Sequence, residues 1–279
     1  RDRNIPLDKI EVALVWNLPD NILKKLKNLK IIFSLGAGVD HILKLPSYKN
    51  TPIIRIQDPN MRSRMLNHVL SQILIYQLKL NEYNKAQQKN IWLDERLTAL
   101  NMDLTIGILG LGYLGKFIAN KLKSLNYNVI GYKNTVSTGK SQIPIHYKKS
   151  LKTFLKLSDI VVSVLPATIQ TRDLINKSFL NQMKKKSLLI NIGRGSSLNE
   201  IDLFNHIKRN KYFFASLDVF KTEPLPKNSK LWKNQNITIT PHVAAITDVD
   251  SSTNYIFTKF EQFRTKGKIK SDVKIQKGY

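Results

Sequence analysis

Cysteine is absent from the 279 residues. The chain therefore has no disulfide framework, no thiolate nucleophile and no Cys-ligated metal, a composition that suits the cytoplasm. Acidic side chains are scarce: 20 Asp and Glu stand against 45 Lys and Arg, a formal net charge of +25. That excess favours encounter with anions, nucleic acid and small carboxylates among them. Lysine, asparagine and isoleucine recur throughout, as in Lys24-Lys25 and Lys184-Lys185-Lys186, the pattern that AT-rich coding produces. Most of the lysines are therefore read as solvated surface, and nucleic-acid binding beyond non-specific charge attraction is not expected. Long apolar runs are also lacking. The longest candidate, Val69–Leu80, is interrupted by Ser71, Gln72, Gln77 and Lys79. It falls short of the roughly 20 residues that cross a bilayer, reads as a buried helix, and leaves no membrane association to expect. His41, His68, His146 and His206 show no metal-ligand spacing, so no metal site is assigned. The chain opens Arg1-Asp2-Arg3-Asn4 without an initiating Met, which leaves open a preceding targeting segment.

What is present is an alternation of short apolar runs with helical patterns. Val12–Trp16, Ile31–Ser34 and Ile53–Ile56 read as strands, with a helix over Asp20–Asn28 capped by Asp20. Its pattern is that of a small α/β unit read from partway through. A long helical segment covers about Ser63–Lys89. Beyond it the pattern is regular. Strands are expected at Thr105–Leu109, Asn128–Tyr132, Ile160–Val164, Leu188–Ile192, Phe213–Val219 and Ile237–Thr240. Helices are expected at Tyr113–Leu125, Ser150–Leu157, Lys177–Met183, Glu200–Arg209 and Ser251–Thr265. Strands alternating with helices imply parallel βαβ units and an α/β, doubly wound parallel sheet of Rossmann type. The last helix is expected to return to the first unit.

Gly110-Leu111-Gly112-Tyr113-Leu114-Gly115 follows an apolar strand and opens an amphipathic helix, the context that gives a GxGxxG pattern meaning. Gly110 permits the tight turn, Gly112 removes a side chain where a pyrophosphate approaches, and Gly115 lets helix and strand pack closely. The helix N-terminus then presents free N–H groups to phosphate. About 20 residues on, where an acid binds the ribose of NAD, the chain reads Gly131-Tyr132-Lys133-Asn134-Thr135. No acid is there to repel a 2′-phosphate and Lys133 can attract one, so NADP (NADPH) is favoured and NAD stays possible.

Three residues carry the chemistry of a 2-keto acid reduction. Arg194, in Asn-Ile-Gly-Arg-Gly after a strand, can grip a carboxylate with two parallel hydrogen bonds, and flanking Gly193 and Gly195 suggest an unusual, accessible turn. His242, in Thr-Pro-His-Val-Ala-Ala, can give a proton to a keto oxygen. Glu223, in Glu-Pro-Leu-Pro, can keep that imidazole charged. Gly36-Ala37-Gly38-Val39-Asp40-His41 also follows a strand and could bind an anion through backbone N–H groups or form a plain turn.

With these residues assembled, the chain resembles the D-isomer-specific 2-hydroxyacid dehydrogenases, and within them looks most like the glyoxylate/hydroxypyruvate reductase A group of bacteria. The likeness runs from Ala13-Leu14-Val15-Trp16 through Ser34–Asp40, Gly107–Gly112 and Leu165-Pro166-Ala167-Thr168 to Leu217-Asp218-Val219-Phe220, Glu223–Pro226, Thr240–Thr247 and the closing Lys277-Gly278-Tyr279. It implies a nucleotide domain at 64–246 inserted in a smaller, flavodoxin-like α/β substrate domain formed by 1–63 and 247–279, with catalysis between them. It further implies the pairing of Glu223 with His242, an Arg194 contact to substrate carboxylate and carbonyl, and Asp218 at the nicotinamide amide. Gly38 and Val39 would offer N–H groups to the substrate, with Trp16 lining its pocket. Tyr113, Leu114, Asn134, Leu165, Pro166, Ile192 and Gly193 would join the cofactor site, and a homodimer would be the working form.

Three departures stand out. The sequence given reads as starting after the family's first strand and helix, which leaves open whether the protein has them; Asn134 replaces the arginine that reads the 2′-phosphate in the reductase A group, and Leu78-Lys79 replaces an arginine pair. The implied reaction is NAD(P)H-dependent reduction of glyoxylate or hydroxypyruvate to glycolate or D-glycerate. A dinucleotide-sensing, corepressor-like binding protein of the same architecture is the rival that the charge favours and the retained trio opposes. Another D-2-hydroxyacid dehydrogenase, such as phosphoglycerate dehydrogenase, is a third reading. Formate dehydrogenase typically has glutamine where Glu223 stands.

Overall fold

The computed structural model describes residues 6–94, 98–134 and 141–273. Arg1–Asn4, Thr135 and the closing Lys277-Gly278-Tyr279, all used in the sequence reading, lie outside the described residues. In chain order the elements are β1 (Val12–Val15), α1 (Asp20–Leu23), β2 (Ile31–Ser34), α2 (Asp40–Leu43), β3 (Ile53–Arg55), α3 (Pro59–Gln77) and α4 (Leu80–Gln87). They continue as β4 (Thr105–Leu109), α5 (Tyr113–Ser124), β5 (Asn128–Lys133), β6 (Ile145–Tyr147), α6 (Leu151–Leu157) and β7 (Ile160–Ser163). The last are α7 (Lys177–Leu180), β8 (Ser187–Asn191), α8 (Glu200–Arg209), β9 (Phe213–Leu217), β10 (Ile237–Ile239) and α9 (Val249–Lys266). The chain divides into two compact units, one of residues 1–61, 166–169 and 246–279, the other of 62–165 and 170–245.

The smaller unit is a parallel sheet in the order β1-β2-β3. Its middle strand is wholly buried, and successive residues serve opposite faces as the period of two requires. Ile32 packs with Leu23, Val39, Ile42 and Ile53, whereas Ile31, Phe33 and Ile54 meet Tyr255, Phe260 and Phe263 of α9. The C-terminal segment is thus tied back onto the opening strands, and the backbone N–H of Asp272 donates to the Ile53 carbonyl at 3.1 Å. Asp248 starts α9 by accepting from the Ser251 N–H at 3.0 Å, and Gly267, at φ 66°, ends it.

The larger unit is a seven-stranded, all-parallel sheet in the order β10-β9-β8-β7-β4-β5-β6. Strand residues again alternate. Val161, Leu189, Ala215 and Leu217 belong to one core layer, and Ile160, Val162, Leu188 and Ile190 to the other. Strand order reverses between β4 and β7, the switch point at which open α/β sheets bind ligands beyond their carboxyl ends.

The structure corrects several local expectations. Asp20 does not cap the first helix but opens its first turn, after Pro19; its carboxylate accepts instead from the N–H (2.8 Å) and hydroxyl (3.1 Å) of Ser47. The long helix expected over Ser63–Lys89 begins earlier and breaks: Lys79 lies at φ 55°, a left-handed position that no right-handed helix contains, and α4 starts just after it. The edge strand β6 carries no apolar alternation, only the sequence Ile-His-Tyr, and pairs with β5 alone. Three residues at a sheet edge leave too little pattern to read.

Candidate active site

The glycine turn is built where the sheet reverses. Gly110 holds φ 104°, a conformation L side chains rarely adopt, and it sits against the Val164 carbonyl that follows β7. A Cβ on Gly115 would lie 2.0 Å from the Gly110 carbonyl oxygen, so the first turn of α5 can close onto β4 only with glycine there. At Gly112, by contrast, a Cβ would meet nothing within 4 Å. The space in front of α5 is open, and its first turn has neither an acidic residue nor a side-chain cap. Its leading N–H groups are therefore suited to a phosphate. These features fit a dinucleotide pyrophosphate. Lys133 ends β5, and the preceding Tyr132 pairs with Leu109, so the lysine lies at the strand edge beside the turn. The Asn134 amide oxygen accepts from the Tyr132 hydroxyl at 3.3 Å.

The other sequence-marked residues follow the carboxyl ends of neighbouring strands. Leu165 follows β7, Ile192, Gly193 and Arg194 follow β8, Asp218 follows β9, and His242 follows β10. Parallel strands in one sheet bring these loops to one edge although their residues lie far apart in sequence. Gly193 and Gly195 do not form the unusual turn expected of them: Arg194 has extended backbone (φ −138°, ψ 138°). The glycines are required by crowding instead. A Cβ on Gly193 would lie 2.5 Å from the Leu165 nitrogen, and one on Gly195 would lie 1.9 Å from the Phe220 carbonyl carbon. The Arg194 carbonyl accepts from the Ser197 hydroxyl at 2.7 Å, and its side chain donates to the Gly193 carbonyl at 2.9 Å.

His242 and Glu223 meet. His242 Nδ1 lies 2.7 Å from Glu223 Oε2, while Glu223 Oε1 accepts from the Phe220 N–H at 2.8 Å. An ionised carboxylate only accepts, so Nδ1 carries the donated proton and Nε2 is left for another partner. The imidazole is about half exposed, at 48%, which keeps it accessible. His242 itself has φ 56°, an uncommon value for a residue with a side chain, and hydrogen bonds hold it there.

Asp218 supplies many of those bonds. It is 1% exposed, and its carboxylate accepts from the Thr240 hydroxyl (2.6 Å) and from the N–H groups of Val243 (2.9 Å) and Ala244 (3.0 Å). Its carbonyl accepts from the His242 N–H at 2.9 Å. The carboxylate thereby shapes the histidine loop, a role that the residue type alone does not reveal. Thr240 and Asn191 were also missed. Asn191 is fully buried, and its amide oxygen and nitrogen lie 3.4 Å from the Gly193 N–H and the Arg194 carbonyl. Its signal was available: a polar residue closing the apolar run Leu188-Leu189-Ile190.

One further histidine borders this region. Desolvation pushes the His68 imidazole below its ordinary range, partly opposed by the charge of Asp218, and its Nε2 is buried without a hydrogen-bond partner. Among the described residues no group of three or more His, Asp or Glu could hold a metal ion, and no helix is long and apolar enough to cross a membrane.

In the smaller unit, Gly38 and Val39 precede α2, with Val39 2% exposed, and Trp16 follows β1 with 61% of its surface exposed. The Trp16 carbonyl lies 3.0 Å from His41 Nε2.

Known proteins agree with this architecture. Residues 70–244 match the D-isomer specific 2-hydroxyacid dehydrogenase, NAD binding domain family. The chain is 35% identical over 277 residues to glyoxylate/hydroxypyruvate reductase A of Photorhabdus laumondii, covering 96% of this chain and 88% of that one. Among solved structures it resembles the NADPH-dependent glyoxylate/hydroxypyruvate reductase of Sinorhizobium meliloti in complex with NADP and sulfate, with TM-score 0.91 and 31% identity over 97% of this chain and 87% of that one. It also resembles the D-isomer specific 2-hydroxyacid dehydrogenase of Xanthobacter autotrophicus in complex with NADPH and MES, with TM-score 0.92 and 30% identity over 99% and 87%. The turn at a reversed sheet, the histidine–glutamate pair and these likenesses lead to one conclusion: the chain is an oxidoreductase that belongs to the D-isomer specific 2-hydroxyacid dehydrogenases.

Proposed function

We propose that this enzyme reduces a small 2-keto acid, glyoxylate or hydroxypyruvate, to the 2-hydroxy acid with NADPH as the favoured cofactor. The observation that carries the chemistry is the 2.7 Å approach of Glu223 to His242. Glu223 orients the imidazole through Nδ1, and protonated Nε2 gives its proton to the keto oxygen as charge develops there. Arg194 binds the substrate carboxylate and stabilises that developing charge. The dinucleotide, when bound, supplies the hydride. Gly110, Gly112, Tyr113, Leu114 and Gly115 are assigned to its pyrophosphate, Lys133 and Asn134 to the 2′-phosphate end, and Leu165, Pro166, Ile192, Gly193 and Asp218 to the remainder. Trp16, Gly38 and Val39 are assigned to the substrate.

The preference for NADPH is supported by the lysine at the end of β5, by the absence of an acid beside it in Tyr132-Lys133-Asn134, and by relatives whose structures hold NADP or NADPH. The choice of substrate is supported by the name of the Photorhabdus relative. The smaller unit is taken as the substrate domain and the larger as the cofactor domain, with a cytoplasmic homodimer as the setting. A panel of glyoxylate, hydroxypyruvate, pyruvate and 3-phosphohydroxypyruvate with NADPH and NADH tests the reading. The highest kcat/KM is expected with glyoxylate or hydroxypyruvate and NADPH; turnover confined to the phosphorylated substrate would overturn it. Size exclusion with light scattering tests the dimer.

A further inference from the structure

Beside the glycine turn lies a concave site of about 490 Å³ lined by Arg62, Gly112, Tyr113, Lys116 and their neighbours on α5. Tyr113, Lys116, Phe117 and Asn120 are spaced as one face of that helix. Arg62, from the first turns of α3, reaches this face. Its guanidinium carbon sits 4.5 Å from the Phe117 ring centroid and 5.6 Å from that of Tyr113, and one terminal nitrogen donates to the Tyr113 hydroxyl at 3.3 Å. Its Nε is shut off from solvent without a hydrogen-bond partner. An arginine needed only for solubility would extend into water. This one is stacked on two rings, half-buried, with no acidic side chain lining the concavity it borders.

We propose that Arg62 is a binding residue for the dinucleotide pyrophosphate, an inference that rests on the cofactor reading above. Three sources of positive potential converge here: the guanidinium, the Lys116 ammonium and the N-terminus of α5. The aromatic stack fixes the plane of the guanidinium before any ligand arrives, so little side-chain freedom is lost when its donors meet phosphate oxygens. Gly112 leaves the approach open, since a Cβ there would touch nothing within 4 Å. Arg62 acts on a feature common to NADPH and NADH, whereas Lys133 acts where they differ.

The test is calorimetric and needs no turnover. NADPH, NADH, ADP-ribose and AMP are titrated into the wild-type chain and into Arg62→Ala, Arg62→Met and Arg62→Lys, with each variant's fold checked by circular dichroism and Tm. Arg62→Met keeps the apolar stem against Phe117 and serves if the alanine variant does not fold. Removing the charge should weaken NADPH, NADH and ADP-ribose alike, by about tenfold or more, the cost of a charge-assisted hydrogen bond. AMP, which has no pyrophosphate, should be affected far less, and Arg62→Lys should recover part of the loss. Unchanged ADP-ribose affinity in a folded Arg62→Met overturns the proposal, as does a loss confined to NADPH. A wild-type chain that binds none of the three larger ligands overturns the cofactor reading itself. If wild type binds and the variants bind equally, only the role of Arg62 falls.

Discussion

The buried carboxylate of Asp218 accepts from the backbone N–H groups of Val243 and Ala244, the two residues after His242. A strand-end acid thus sets the backbone of the loop that carries His242, holding that residue at a positive φ that would otherwise relax. Asp218→Asn replaces an acceptor by an NH2 group facing N–H donors. Losing such bonds to a buried charged group should cost about 1.5–3 kcal/mol of stability. Urea unfolding of the variant measures this, and a loss below that range would show that the loop holds itself.

Replacing His242 by Ala should lower kcat by roughly 10²–10⁴-fold, the usual cost of a positioned acid/base, with dinucleotide Kd nearly unchanged. Stopped-flow hydride transfer separates this from product release. Activity within tenfold of wild type would remove His242 from the chemistry.

Glu223→Gln is a subtler probe. The carboxylate accepts from two converging donors, His242 Nδ1 and the Phe220 N–H, and an amide offers one accepting oxygen. One donor is then left unpaired or the ring turns, and kcat should fall about 10- to 100-fold, the equivalent of one charge-assisted hydrogen bond. Wild-type kcat in this variant would reduce Glu223 to a loop anchor.

Lys133→Asp tests the cofactor preference. An acid at the end of β5 repels a 2′-phosphate but can bind a ribose hydroxyl, so KM for NADPH should rise at least tenfold more than KM for NADH. Equal changes for both would mark the lysine as general surface charge.

Two histidines give the fold a pH dependence. Burial pushes both His68 and His206 below their ordinary range, so the unfolded chain binds their protons more readily than the folded one. Stability therefore rises with pH wherever the unfolded state holds those extra protons, and falls as pH drops below about 6.5, the unfolded value. The loss continues until the lowered folded values are passed. His68→Gln should flatten the decline of Tm between pH 7 and 5; an unaltered slope would show that His68 stays neutral in both states or charges without cost.

The alternation of strands with helices, the parallel sheet and the glycine turn were legible because they rest on local rules: a period of two, a period of 3.6, and glycine where β4 passes into α5. Arg194, Glu223 and His242 were legible as residue types in distinctive loops. Their meeting was not, because a hydrogen bond between residues 19 apart depends on how β9 and β10 lie side by side, and no local pattern encodes that. The same holds for Asp218, whose carboxylate reaches 25 residues onward to Val243, and for Gly195, which a turn rule explains wrongly and the backbone of Phe220 explains well. Arg62 was invisible in the sequence, one cation among 45, until packing stacked it on Phe117. Local propensity selected the elements and placed Arg194 and His242 just beyond the carboxyl ends of strands; the sheet order, which only long-range packing decides, determined which of those ends became neighbours.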